Sequence, residues 1–126
     1  MTLTLEGLKD PIFTGMPKVQ RVLQWHSVKV VEPPAGAVVL AASDLCPIQA
    51  MRVGRHAWSM QYHVEVESDT VSTWGVVPEY RAALEATLGP TALAGLTVDA
   101  ERYMDDFASN SKRLYDNFID AVRQVT

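Results

Sequence analysis

Ala57-Trp58-Ser59-Met60-Gln61-Tyr62-His63-Val64-Glu65-Val66 alternates in character along its whole length. Trp58, Met60, Tyr62, Val64 and Val66 fall at one parity, and Ala57, Ser59, Gln61, His63 and Glu65 at the other. Side chains two apart on a strand share a face. The stretch therefore reads as a half-buried strand, apolar beneath and polar above, with His63 and Glu65 side by side on the polar face. Gly54-Arg55 forms a hairpin-like turn into it from a shorter strand candidate, Pro47 to Val53. Ala37 to Ala42 is almost wholly apolar, as a buried strand would be, and the turn Pro33-Pro34-Ala35-Gly36 precedes it. Arg21 to Trp25 reads as another strand, with Val28 to Val31 continuing or pairing with it. Gly7 to Pro17 is turn-rich, with Asp10-Pro11 and Gly15-Met16-Pro17, and Thr2 to Leu5 alternates like a short strand.

Beyond Ser68 the rhythm becomes helical. Pro78 suits the first turn of a helix and Gly89-Pro90 ends it, with Tyr80, Leu84 and Leu88 repeating at four-residue spacing between them. A last helix is expected from about Thr97. There Ala100, Met104, Phe107, Ser111, Leu114, Phe118 and Val122 follow a 3.6-residue period. Asp99 and Glu101 would occupy its first turn and Arg123 its last, complementing the helix dipole. No flexible linker divides the halves, so the chain reads as one unit, strand-rich over 1–67 and helical over 68–126. Trp25, Trp58 and Trp74 are most simply core or interface residues.

The 126 residues suffice for one domain. Eleven Lys+Arg against 15 Asp+Glu give a formal charge of -4, which argues against a binder that neutralises nucleic-acid phosphates. A single cysteine excludes an internal disulfide and makes a reducing, cytoplasmic setting the default. No apolar run approaches the ~20 residues of a membrane span, and Met1 to Asp10 lacks signal-peptide architecture. The mean hydropathy is +0.00. A small domain this apolar has an efficient core or buries a face against something else, so self-association or a partner is expected.

Three histidines could carry chemistry: His26, His56 and His63. A general base needs an acceptor on its second nitrogen to hold one tautomer, and only His63 has one in register, Glu65. The competing reading is a strand-end imidazole beside a solvated carboxylate. For a metal, His26, His63 and Glu65 would have to converge, yet no His-x-x-x-His or paired Cys supports that, so no metal or cofactor is expected. Cys46, within Asp44-Leu45-Cys46-Pro47, lacks a neighbouring cation or glycine-rich turn to stabilise a thiolate and reads as structural. Phosphate-binding signatures such as G-x-x-x-x-G-K and G-x-G-x-x-G are absent.

Five segments form an ordered series: Leu23-Gln24-Trp25-His26, Pro33-Pro34-Ala35-Gly36-Ala37, Leu40-Ala41-Ala42-Ser43, Cys46-Pro47-Ile48-Gln49-Ala50 and Gln61-Tyr62-His63-Val64-Glu65. Together they resemble the C-terminal half of a class I glutamine amidotransferase domain, over at least Asp10 to Glu65, and the helical tail also fits that family. The resemblance implies an α/β fold, the C-terminal part of a flavodoxin-like sandwich. Its strands would be mixed or antiparallel around residues 20–65 and followed by C-terminal helices. In that family a Cys on a glycine-rich elbow attacks the side-chain amide of glutamine, a His acts as base, and a Glu two residues later orients it. The resemblance places the last two roles on His63 and Glu65; His26 would either line the substrate site or be an imidazole that caps a strand end.

The departures from the family pattern are informative. The family's nucleophile lies in G-x-C-x-G, upstream of every segment matched here, and Cys46 aligns elsewhere. The usual His-Pro-Glu is His63-Val64-Glu65, with the changed residue facing away from the pair. Gln49 and Arg52 read as scaffold beneath the site. The expectation is a glutamine amidotransferase-like protein that carries the base and its orienting acid without the nucleophile and is inactive alone. Glutamine would be its substrate if an N-terminal half were supplied in trans. The alternatives are a non-catalytic truncated interaction module, or half of a γ-glutamyl peptidase-type hydrolase.

Overall fold

Strands β1 (Thr2–Leu3), β2 (Ala37–Ser43), β3 (Cys46–Val53) and β4 (Ala57–Met60) make one sheet in the order β1-β2-β3-β4 in a computed structural model of the chain, which describes residues 1–125. Every pairing is antiparallel, so of the two sheet types expected, mixed or antiparallel, the chain forms the second. Helices α1 (Thr70–Gly75), α2 (Pro78–Leu88) and α3 (Ala92–Arg123) follow the strands. The β2–β3 hairpin closes through Asp44-Leu45, with Ser43 opposite Cys46. The next hairpin needs a left-handed residue, supplied by Gly54 at φ 63°, and its loop runs through His56 before Val53 pairs with Ala57.

The alternating run at 57–66 leaves the sheet after Met60. The chain bends at Gln61 and Tyr62, and His63 then forms an isolated bridge with Leu23, its N–H donating to the Leu23 carbonyl at 3.0 Å. The expected strand at Arg21 to Trp25 is reduced to that bridge, and Val28 to Val31 forms none. Side chains take the backbone groups a ladder would use: Gln61 Oε1 accepts the Val30 N–H at 2.7 Å, and the His26 ring engages the Val28 carbonyl at 2.7 Å. The parity of burial survives the bend. Tyr62 is buried, and Trp58, Met60 and Val64 pack against the same core.

That core joins Leu3, Leu40, Ala41 and Ala50 of the sheet to Ile12, Phe13, Tyr62 and Leu114. Gly7 lies so close to β2 that a Cβ there would overlap the Leu40 carbonyl oxygen. A second cluster, Leu23, Val71 and Ala100, is flanked by Trp25, Trp74, Leu93 and Phe107. Trp58 thus serves the first cluster, and Trp25 and Trp74 the second.

Helix α2 has the bounds its punctuation predicts, with Gly89 at φ 94° ending it, but only Leu84 of its stripe is buried; Tyr80 and Leu88 are exposed. Helix α3 begins at Ala92 rather than near Thr97, because the connection is only Gly89-Pro90-Thr91 and Gly95 is tolerated inside the helix. Asp99 and Glu101 consequently lie beyond the first turn, while Arg123 keeps its place in the last. Of the periodic stripe, Ala100 and Leu114 are buried, Met104, Phe107 and Ser111 half-buried, and Phe118 and Val122 exposed.

Asn117 docks α3 on the turn Pro11–Phe13. Its amide donates to the carbonyls of Ile12 and Thr14, both at 2.9 Å, from a buried position. Removing it leaves those acceptors without their donor, so Asn117→Ala is expected to lower unfolding stability by about 1–3 kcal/mol in a denaturant titration. A change below about 0.5 kcal/mol would mean that water replaces the amide without loss.

Candidate functional site

The bend after Met60 brings His63 against the Leu23–Trp25 segment and leaves Glu65 beside it. His63 Nδ1 lies 2.7 Å from Glu65 Oε1. Glu65 Oε2 accepts the Val64 N–H at 2.9 Å, which fixes the carboxylate against its own backbone. On the opposite side of the ring, Nε2 faces the Trp25 carbonyl at 3.2 Å. Both partners are acceptors, so the imidazolium makes both hydrogen bonds and a neutral ring makes only one. The ring also meets Trp74 edge-to-face, with centroids 4.7 Å apart and planes at 68°.

Partial burial pushes the Glu65 carboxyl up, but the hydrogen bond from His63, the backbone N–H bonds and the charge of a protonated His63 outweigh it. The net position is below the ordinary 4.5. A carboxyl depressed in the folded state contributes stability that is present above its unfolded pKa and lost as pH falls through the folded one. The thermal-stability gap between the wild type and Glu65→Gln is therefore expected to close as pH drops below about 4.5. A gap that instead widened in acid would contradict the pairing. The Glu65 side chain is 60% exposed, so the gap is small.

The other sequence candidates lie apart from this pair. Both nitrogens of His26 are engaged within its own loop, Nδ1 by the Val28 carbonyl at 2.7 Å and Nε2 by Gln24 Oε1 at 2.8 Å. His26 and Cys46 line an open, largely apolar groove of about 600 Å³ together with Leu45, Tyr80 and Leu88. The buried Cys46 thiol, at the first residue of β3, donates a hydrogen bond to the Ile48 carbonyl at 3.5 Å. Gln49 is buried with its amide nitrogen on Ser43 Oγ at 2.8 Å, and Arg52 binds the buried Asp10 carboxylate at 2.7 Å. His56 is exposed in the β3–β4 loop. Among the described residues no three of His, Cys, Asp and Glu come together as a metal set, and no helix is long and apolar enough to cross a membrane.

Sequence reasoning placed Trp25 and Trp74 only in a core or interface. Their contacts with His63 span 38 and 11 residues of chain, and no local spacing signals them.

A His–carboxylate pair thus lies at the end of an antiparallel sheet that helices follow. The profile of glutamine amidotransferase class-I matches residues 1–73, and the chain belongs to that family. Over 59 residues it is 41% identical to a glutamine-hydrolyzing GMP synthase subunit from Pyrococcus abyssi, a match covering 46% of this chain and 31% of that protein. It is 45% identical over 56 residues to the glutamine-hydrolyzing GMP synthase of Geobacillus kaustophilus, covering 44% of this chain and 11% of the relative. The corresponding enzyme of Paraburkholderia phytofirmans is 42% identical over 71 residues, covering 52% and 12%. The chain thus spans a third or less of the length of these relatives.

Proposed function

We propose that this chain is the base-bearing, C-terminal half of a glutamine amidotransferase domain, with His63 as general base and Glu65 as the residue that orients it. The observation that carries the reading is the 2.7 Å Nδ1–Oε1 hydrogen bond. It holds the ring in the tautomer whose Nε2 can accept a proton. A cysteine thiol supplied from outside this chain would give its proton to Nε2 and attack the glutamine side-chain carbonyl. The resulting imidazolium would return that proton to the departing nitrogen, releasing ammonia and leaving a γ-glutamyl thioester. Water, deprotonated by the same nitrogen, would then hydrolyse the thioester to glutamate.

Nε2 now faces the Trp25 carbonyl, so the nucleophile would take the place of that oxygen as its partner. The curated relatives carry both glutamine hydrolysis and GMP synthesis in their names. By likeness to them, the ammonia produced here would pass to an acceptor domain or subunit. The exposed Val28, Leu45, Tyr80 and Leu88 around the groove supply apolar surface for association with an N-terminal half or a second copy.

The test measures ammonia release from glutamine by the chain alone and after mixing with a separately produced segment bearing the G-x-C-x-G elbow. The expected result is none from the chain alone, release from the mixture, and no effect of Cys46→Ser. Glutaminase activity in the pure chain that vanished in Cys46→Ser would overturn the assignment of the nucleophile to sequence outside it. A mixture that stayed inactive although the halves associate would overturn the reading of His63 as base.

A further inference from the structure

Trp74 is the fifth residue of α1 and lies just outside the segment matched by the family profile. Its ring meets two partners edge-to-face: His63 at 4.7 Å and 68°, and Trp25 at 5.6 Å and 73°. Trp25 is anchored in turn, its indole N–H donating to the Tyr80 carbonyl in α2 at 3.3 Å. The Trp25 carbonyl is the group that faces His63 Nε2. The imidazole is therefore bounded at Nδ1 by Glu65, at Nε2 by Trp25, and by the indole of Trp74.

Of these three boundaries the Glu65 bond is the most exposed. Its carboxylate is 60% accessible, and an exposed hydrogen-bonded pair competes with water and orders a side chain weakly. Trp74 sits instead in the second apolar cluster, beside Val71, Leu93 and Phe107. The T-shaped contact leaves both ring nitrogens free to bond, so it restricts rotation of the imidazole without occupying either one.

We propose that Trp74 is a positioning residue for His63: its indole, clamped by Trp25, holds the imidazole in the rotamer that keeps Nδ1 on Glu65. The assignment rests on the reading of His63 as the base. It extends the site one residue past the matched segment, into the last turn of α1, and makes that helix part of the machinery that prepares the ring.

The experiment uses the intact 126-residue chain, labelled with 15N, and follows the imidazole signals by NMR. Exchange of the His63 Nδ1–H proton with water is compared in the wild type, Trp74→Phe, Trp74→Leu and Val71→Ala. Loss of an edge-to-face partner opens the site roughly two- to tenfold more often. Exchange is therefore expected to quicken by about that factor in Trp74→Leu, with the His63 ring-proton shifts moving and those of His26 and His56 staying in place. Trp74→Phe restores most of the protection. Val71→Ala weakens the same cluster at a side chain that makes no hydrogen bond or ring contact with His63, and leaves the exchange near wild type.

Exchange in Trp74→Leu equal to the wild type would overturn the proposal. So would equal loss in Trp74→Phe and Trp74→Leu, or equal loss in Val71→Ala, which would make the role one of packing alone. If the NMR result is as expected while the complemented protein releases no ammonia, the proposed function fails and the positioning of the ring stands.

Discussion

The His63→Ala substitution is expected to lower glutamine hydrolysis by the complemented protein roughly 10²–10⁴-fold, the range a positioned general base contributes. Geometry carries this expectation. Nδ1 is held on Glu65 at 2.7 Å, and under the proposed function Nε2, which faces the Trp25 carbonyl, is the nitrogen that would receive and return the proton. The fold should survive the change, since the bridge to Leu23 is made by the His63 backbone rather than its ring. Glu65→Gln should reduce activity by a smaller factor, because a neutral amide oxygen can still accept from Nδ1 but does not stabilise the imidazolium. Initial rates of ammonia release at saturating glutamine, with circular dichroism as the control for folding, make the measurement. A His63→Ala protein within twofold of wild type would remove His63 from the chemistry.

The second large effect concerns stability. Asp10 is 4% exposed and joins three parts of the fold. Its Oδ1 accepts the Ile12 N–H at 3.2 Å and the Trp58 indole N–H at 2.9 Å, and its Oδ2 accepts from Arg52 Nε at 2.7 Å. It therefore caps the turn Pro11–Phe13 and ties that turn to β3 and β4 at once. Asp10→Ala leaves the Arg52 guanidinium largely covered without its counter-ion and strands the indole donor. Breaking a buried pair in this way costs about 3–5 kcal/mol, a large part of the roughly 5–15 kcal/mol typical of a whole domain. Asp10→Asn keeps acceptor capacity and should cost less. Urea unfolding midpoints of the two variants make the comparison, and a loss below about 1 kcal/mol in Asp10→Ala would show that Arg52 finds water or another acceptor.

Neither the Asp10 hub nor the surroundings of His63 was legible in the sequence, for the same reason. Asp10-Pro11 reads correctly as a turn, and Asp10 does cap that turn, but Arg52 and Trp58 lie 42 and 48 residues away. Pattern reasoning sees neighbours along the chain, and these partners are neighbours only after the sheet has closed. The His63–Glu65 pair was legible because two residues two apart on an extended chain meet without help from the rest of the fold. It was legible even though the segment is not a continuous strand: the Gln61 side chain and the Leu23 bridge draw it out of the sheet after Met60. The early start of α3 was not legible because the periodic stripe begins at Ala100; the helix starts at Ala92, runs through Gly95, and is held there by Leu93 and Leu96 packing on the second cluster.

By itself the sequence determined the order of strands before helices, the limits of α2, those of β2 and β3 to within one residue, and the one place where an imidazole has a carboxylate in register. These follow from periodicity and punctuation, which act over a few residues. The ordered series Leu23 to Glu65 also marked the glutamine amidotransferase resemblance, and it lies within the matched segment. Only the tertiary structure decided that the sheet is wholly antiparallel, that His26 spends both ring nitrogens on its own loop, and that Trp25 and Trp74 enclose His63. Each depends on which side chain wins a backbone group or a neighbour across many residues. That competition is settled by packing after the chain has folded.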